Sequence, residues 1–339
     1  MFPGDDAAAR MWKDGAMNDV AGTPETQDEQ LPIRVAWLYH MEGLTQADIA
    51  DRLGVTRLRV NRLLAEARAS GLVRVTLTSK LADCAALEQA LCRDTGLAHA
   101  VIVPTPDDVD LVAGILGQAA AGYLSRHLRE HKVGGVALGW GATLRETIRH
   151  VDAMRRPELS VSSMMGGLTR GLELNTFEIA SDLARRLNAS CHYFAAPIYA
   201  GSPRSRDTIL AQDVFRESLD RVRSSDIALL SVGDLGRRSL LIRYGLPRDV
   251  PVAELRASGA VGDVMGQFLD AEGKPIDHPL NQRAIALPLS ELRKIPTVVI
   301  ASGGANKVRI IAAVLRARLA NVLVCDERTA SAALDIVRG

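Results

Sequence analysis

Two periodicities divide the chain. Up to Ala67 the apolar positions recur at helical spacing. Val35, Ala36, Trp37, Leu38 and Tyr39 lie in a helix expected over 32–42; Ile49, Ala50 and Leu53 follow, then Val60, Leu63, Leu64 and Ala67. Val73 to Thr78 alternates and predicts a short strand closing a small domain over 31–80. Leu81 to Thr95 reads as a helix closed by Gly96, a connector over 81–96. Beyond it, apolar runs alternate with helical stretches. Strands are expected at AVIVP, VGGVALGW, LSVSSMMGG, CHYFAAPI, IALLSVGDL, TVVIASGG and NVLVCDE; helices are expected over 111–130, 142–151, 175–187, 206–223, 307–319 and 328–337. Strand and helix in alternation predict an α/β body over 97–339 with a largely parallel sheet covered on both faces. Ligands of such sheets bind beyond the carboxyl ends of the strands.

The first helical block carries a spacing with a mechanical meaning. Counted from Gln46, Ala50 is fifth, Gly54 ninth, Val60 fifteenth and Leu63 eighteenth, the pattern of a helix-turn-helix. Ala50 is small where the second helix crosses, and Gly54 permits the tight turn. Thr45 is placed to cap the first helix with Asp48 in its first turn, and Thr56 to cap the second. On the second helix Val60, Leu63, Leu64 and Ala67 share one face, while Leu58, Asn61 and Arg62, flanked by Arg59, lie opposite. That outer face suits a major groove: Asn pairs with adenine, Arg with guanine, and Leu touches a thymine methyl. Arg57, near the helix start, is the expected phosphate contact. Thr45, Gln46, Thr56, Arg57, Leu58, Arg59, Asn61 and Arg62 are therefore the candidate DNA-binding residues. The alternative is an ordinary helical hairpin with a solvated basic face.

Charge sharpens this division. Residues 1–30 carry two basic and seven acidic side chains, residues 31–80 eight and four, and the remainder 31 and 29. An acidic leader expected to be disordered thus precedes a basic module and a balanced body. No apolar run is long enough for a membrane span, and no secretion signal opens the chain, so a cytoplasmic location is expected. The four cysteines have neither zinc-knuckle nor CxxC spacing. Neither a metal nor a cofactor is expected.

The body carries glycine-bearing turns after its strands: Gly139-Trp140-Gly141-Ala142-Thr143, Gly166-Gly167, Gly233-Asp234 and Gly303-Gly304-Ala305-Asn306-Lys307. Free backbone amides at such turns favour anionic or polyhydroxyl ligands, although any one of them is also an ordinary turn.

The order of GLTQADIADRLGVTRLRVNRLL, GWGATL, MMGGL with Asn175 following, AAPIY, GAVGDVMGQFLD, DHPLN and ASGGANK resembles the SorC family of sugar-responsive transcriptional regulators, over about residues 31–337. The resemblance implies an effector domain of the phosphosugar-isomerase type used for sensing, in oligomers that are often tetramers. It implies a ligand pocket built from Gly139, Trp140, Gly141, Ala142, Thr143, Gly166, Gly167, Asn175, Asp263, Asn281, Gly303, Gly304 and Lys307. Amides and Thr143 would hold a terminal oxygen group, Asp263 and Asn281 would read hydroxyls, and Lys307 would supply charge. Asp263 capping a turn, Asn281 fixing its loop and Lys307 as a solvated lysine are the structural alternatives. Two departures point away from a phosphorylated ligand toward a free sugar or polyol. Gln267-Phe268-Leu269 stands where many members have an arginine and paired aromatics, and Ala142 where a polar or basic residue is common.

The expected protein is a homo-oligomeric regulator, dimer or tetramer. It binds double-stranded operator DNA and controls a carbohydrate or polyol operon in response to a sugar, a polyol or a phosphate of either. No catalytic residue is assigned. The rival is a sugar-phosphate isomerase or deaminase with Asp263 as base and Lys307 as electrostatic aid, and a third reading is a DNA-binding scaffold with a vestigial body.

Overall fold

The computed structural model describes residues 27–70, 72–73, 80–168 and 175–339. The chain divides between residues 77 and 78 into two compact units. Most of the leader, and positions 74–78 of the expected strand, lie outside the described residues; Val73 is in a bend.

The N-terminal unit holds α1 (Gln27–His40), α2 (Gln46–Leu53) and α3 (Arg57–Ala69). Val35, Leu38, Ile49, Ala50, Val60, Leu63 and Leu64 form its buried core. The α1 helix starts earlier than the expected Pro32, taking in residues 27–30 of the expected leader, and carries Pro32 inside it. A proline there removes one amide hydrogen bond, a loss the helix tolerates because its inner face packs on α2 and α3. It ends at His40 rather than Glu42: the amides of Met41 and Glu42 both turn back to the Trp37 carbonyl, and Gly43 takes φ 69°.

The body contains α4 (Lys80–Thr95), β1 (His99–Val103), α5 (Val112–Glu130), β2 (Gly135–Leu138), α6 (Ala142–His150) and β3 (Ser160–Gly167). There follow α7 (Thr176–Leu187), β4 (Ser190–Pro197), α8 (Pro203–Leu210), α9 (Asp213–Arg223), β5 (Ile227–Leu230) and β6 (Val232–Gly233). Next come α10 (Val252–Ala257), β7 (Gly262–Val264), β8 (Gln267–Leu269) and α11 (Leu289–Leu292). The chain closes with β9 (Thr297–Ala301), α12 (Val308–Arg316), β10 (Val322–Asp326) and α13 (Glu327–Arg338).

Seven strands form one sheet in the order β1-β10-β9-β5-β2-β3-β4, and every pairing in it is parallel. Both faces are covered, which is why these strands read as apolar runs. Val136, Leu138, Val161, Leu229 and Val324 pack with α5, α6 and α7 on one face; Ala137, Ala228, Ile300 and Leu323 pack with α4, α9, α12 and α13 on the other. The stretch read as a connector, 81–96, is built into this body. Glu88 accepts the Ile102 amide of edge strand β1 at 2.7 Å, and Asp94 is paired with Arg338.

Two expected elements are resolved differently. The helix over 206–223 is two helices: Ser202 caps α8, and Gln212 adopts an extended ψ of 144° before Asp213 opens α9. The run IALLSVGDL is two strands in two sheets, because after Ser231 the chain leaves the parallel sheet and β6 joins an antiparallel sheet, β6-β7-β8.

Helices α5 and α6 meet closely at Gly117. A Cβ there would lie 2.8 Å from the Glu146 carbonyl carbon and 2.9 Å from the Thr147 nitrogen, whereas one at Gly122 on the same helix meets nothing within 4 Å. Gly117→Ala should therefore lower stability by about 1–3 kcal/mol. Gly122→Ala should raise it by up to about 1 kcal/mol. Denaturant unfolding of both variants checks the opposite signs.

Candidate functional site

The N-terminal unit builds a reading surface. The Thr45 side chain accepts the Asp48 amide while the Asp48 carboxylate accepts from Thr45, a complete capping box that fixes where α2 begins. Gln46 is the first residue of that helix. Gly54, at φ 64°, turns the chain, and the Thr56 hydroxyl accepts the Arg59 amide at 3.2 Å to start α3. Burial then sorts α3 as its periodicity does: Val60, Leu63, Leu64 and Ala67 are buried, while Arg57, Leu58, Arg59, Asn61 and Arg62 are exposed. Leu58 is 81% exposed, on the side of α3 away from its buried residues. Arg62 lies 3.4 Å from Glu66 in an exposed ion pair. Such a pair is weak enough to release the guanidinium to a base edge.

In the body, the all-parallel sheet sends every strand's carboxyl end to one edge. Its switch point lies between β2 and β5: β3 and β4 continue to one side, β9, β10 and β1 to the other. The turn after β2 holds Gly139, Trp140 and Gly141; Gly141 has φ 135°, and a Cβ on it would stand 3.4 Å from that of Ser231 after β5. Ala142 opens α6 and Thr143 is buried in its first turn, so the free amides of that helix face the crevice. Trp140 is half-buried between the two hydrophobic layers.

The antiparallel sheet carries an acid to the same edge. Gly233 pairs with Asp263, and the two are so close that a Cβ on Gly233 would run into the Asp263 carboxylate. Asp263 Oδ2 accepts the Gly266 amide at 3.0 Å; Oδ1 is buried without a hydrogen-bond partner among the described residues. Burial pushes this carboxyl up from an ordinary 3.8 to about 6, aided by nearby Asp234 and opposed by the Gly266 N–H and the Lys307 charge. Lys307 donates to the Val232 carbonyl at 2.7 Å and lies 3.2 Å from Asp234, whose Oδ2 also accepts Asn306 Nδ2 at 2.6 Å. Burial opposes the charge on Asp234, yet Lys307, the Gly236 amide and Asn306 together hold its carboxyl below the usual range.

The remaining candidates divide. The Gly304 amide donates to Asp326 at 2.8 Å and Thr329 at 2.9 Å, which anchors the double glycine before Lys307. Gly166 and Gly167 close β3 under tight packing: a Cβ on Gly166 would lie 2.7 Å from the Ala196 carbonyl oxygen, and one on Gly167 2.5 Å from Asn175 Oδ1. Asn175 is buried, donating to the Leu168 carbonyl at 3.1 Å. Asn281 gives its amide to the backbone: Oδ1 accepts the Phe268 N–H at 2.7 Å, and Nδ2 donates to the carbonyls of Phe268 and Ile276. That geometry is the loop-fixing one. Gly141 packs near Ser231 after β5, Lys307 and Asp263 lie beside the β6 residues that follow it, and Asn281 braces β8.

Two groups escaped the sequence reading. Asp234 and Asn306 stand inside turns singled out for their glycines, and they line a cleft of about 350 Å3 with Arg256 and Arg309. A second cleft, of about 330 Å3, is lined by Tyr199, Arg243, Arg248 and Arg283 among others. It adjoins the acid: Tyr199 Oη donates to the carbonyl of Gly266, whose amide holds Asp263. No sequence spacing links these residues, since strand β4, a π-helical turn (Leu241–Gly245) and the Asn281 loop bring them together.

Comparison with known proteins gives the same two-part division. Residues 79–335 match the family model described as "Putative sugar-binding domain", and residues 35–80 match a MarR family model. The transcriptional regulator LsrR of Escherichia coli is 32% identical, over 91% of this chain and 95% of that protein. The erythritol catabolism regulatory protein EryD of Brucella abortus is 29% identical, over 90% of this chain and 96% of that protein. Among solved structures, the full-length sorbitol operon regulator SorC of Klebsiella pneumoniae superposes with a TM-score of 0.69 at 24% identity, covering 91% of this chain and 100% of that one. A DeoR family transcriptional regulator of Listeria monocytogenes gives 0.67 at 27% identity, over 74% and 99%.

Asp263 makes stability depend on pH. Its carboxyl is raised on folding, so its contribution is full below about pH 3.8 and is lost as pH rises through about 6. That span corresponds to about 3 kcal/mol at most. Asp263→Asn should flatten the fall between pH 4 and 7 and be more stable than the natural chain at pH 8, as read by denaturant unfolding.

Proposed function

The chain belongs to the family of transcriptional regulators with a sugar-binding domain, and on that premise we propose that a small sugar or polyol, bound at the carboxyl edge of its parallel sheet, governs the grip of its helix-turn-helix on operator DNA. The chain is a DNA-binding regulator rather than an enzyme, with its α/β body as the sensing part. No described helix is long and apolar enough to cross a membrane. We infer a cytoplasmic homo-oligomer, dimer or tetramer, in which residues 31–80 read DNA and 97–339 sense and assemble.

One observation carries the effector reading. Asp263 is buried with an unpartnered oxygen near Lys307 and Asp234, and Asn306 binds Asp234 in the cleft alongside. A hydroxyl donated to Asp263 Oδ1 satisfies that oxygen, and Lys307 and Asn306 supply donors to neighbouring oxygens. The flanking clefts, of about 330 and 350 Å3, have the scale of a small carbohydrate. Arg243, Arg248 and Arg283 lend the Tyr199 cleft positive charge, so an effector with one anionic end is included beside the neutral ones. The relative named for erythritol catabolism supports a short polyol.

A ligand acts here only by binding one arrangement of the molecule better than another. Pairing by the body would set the spacing of two reading heads against two half-sites.

Matched free and phosphorylated sugars and polyols, screened by thermal shift, should yield at least one that raises the Tm. Lys307→Met should weaken that ligand by about 10- to 100-fold, the loss of one charged hydrogen bond. A screen in which no compound of either kind shifts the Tm would overturn the effector reading. On the DNA side, Arg62→Ala should cost about 1–3 kcal/mol on the preferred sequence and relax base choice. Arg57→Ala should weaken all duplexes alike and reduce the salt slope by about one. Binding titrations over a range of salt separate the two.

A further inference from the structure

The two clefts of the body differ in charge. The one beside Asp234 mixes acid and base, whereas none of the residues lining the Tyr199 cleft is acidic and three of them are arginines. Ile198, Leu246 and Pro247 give it apolar lining as well.

An uncommon piece of backbone places these arginines. Leu241–Gly245 is a π-helical turn, closed by the Leu246 amide donating to the Leu241 carbonyl at 2.7 Å. Such turns are rare and concentrate at functional sites. This one packs tightly through Gly245, where a Cβ would lie 2.7 Å from both Leu168 Cδ2 and Leu241 Cδ1. It carries Arg243, whose guanidinium carbon stands 4.9 Å from the centroid of the Tyr244 ring, and Arg248 follows shortly after. Arg283 comes from the Asn281 loop with its side chain only 13% exposed; Nε donates to the Ala200 carbonyl and Nη1 to Asp249, each at 2.9 Å. Asp249 thus offsets Arg283. Arg243 and Arg248 are exposed and have no acidic partner among the described residues. Like charges gathered around one cleft repel, so an anion held among them gains from direct pairing and from relief of that repulsion. A guanidinium presents its N–H groups as a flat fork that matches the oxygens of a carboxylate or a phosphate.

We propose that this cleft is a second ligand site, for a small organic oxyanion held by Arg243, Arg248 and Arg283, and separate from the site at Asp263 and Lys307. The oxyanion is a phosphate monoester or a carboxylate. Its effect reaches the acid indirectly: Tyr199 lines the cleft, its hydroxyl donates to the Gly266 carbonyl, and the Gly266 amide holds Asp263. An anion seated against Tyr199 steadies the β7-β8 turn. With an effector engaged at Asp263, as proposed, the anion becomes a second input to one hairpin; its binding alone does not depend on that proposal.

The test is thermal unfolding of the full-length chain in chloride, with inorganic phosphate, methyl phosphate and succinate each added at constant ionic strength. At least one of the three should raise the Tm along a saturating curve, and which one does so separates a phosphate site from a carboxylate site. Arg243→Gln with Arg248→Gln, both at exposed positions, should keep the Tm measured in chloride and weaken that anion by about 10- to 100-fold. Lys307→Met should bind it as the natural chain does. Binding should also slow amide hydrogen exchange across residues 262–269. No saturable rise, or an equal rise in the double variant, would overturn the proposal. So would loss of the rise in Lys307→Met, which would place the anion at the Asp263 site and leave the effector reading standing. Unchanged exchange at a saturated cleft would overturn the link to the hairpin.

Discussion

All seven strands of the main sheet run parallel, and that one constraint places everything the body does. Parallel strands send every turn that follows them to the same edge, so the glycines after β2, the double glycine after β9 and the acid-bearing β6-β7-β8 sheet after β5 meet there without being near in sequence. Strand order then selects where along the edge a ligand fits. Between β2 and β5 the connections diverge, which sets the α6 N-terminus near Ser231 and the start of the small antiparallel sheet that carries Asp263.

At that crevice the protein keeps an electrostatic imbalance. Asp234 is neutralised by Lys307 and held by Asn306; Asp263, behind it, has one oxygen held by the Gly266 amide and one with no partner among the described residues. A buried polar atom left in this state is costly, and the effector proposed above would supply the missing bond. The same turn is braced from behind, since Tyr199 holds the Gly266 carbonyl and Asn281 clamps Phe268. A ligand that engages Asp263 thus acts on a stiff element, which is what relaying a binding event requires.

Much of this was legible in the sequence because it was written in local rules. The helix-turn-helix follows from spacing, Gly54 and two threonine caps, and the parallel sheet from apolar runs between helical stretches. What escaped was set by tertiary contacts. Nothing in VMGQ announces a hairpin: Met265 adopts φ 53° with Gly266 at 73°, a left-handed pair more usual for Asn-Gly, so the β7-β8 turn and the small sheet were missed. The break between α8 and α9 has neither glycine nor proline to mark it. Asn281 reads in the sequence as either a hydroxyl reader, by the family resemblance, or a residue fixing its loop, and only its three backbone partners favour the second. Asp234 and Asn306 were overlooked because each is an ordinary turn residue until Lys307 brings them together.

The central claim is that one site in the body and one in the reading head are thermodynamically coupled. The most direct measurement is the affinity of the full-length chain for effector in the absence and presence of saturating operator, beside its affinity for operator in the absence and presence of saturating effector. Linkage requires the two ratios to be equal, and a regulator of this kind should give a common factor of about 5 to 150 in either direction. An effector that binds tightly yet leaves operator affinity unchanged would contradict the account, because a ligand with equal affinity for both states shifts neither.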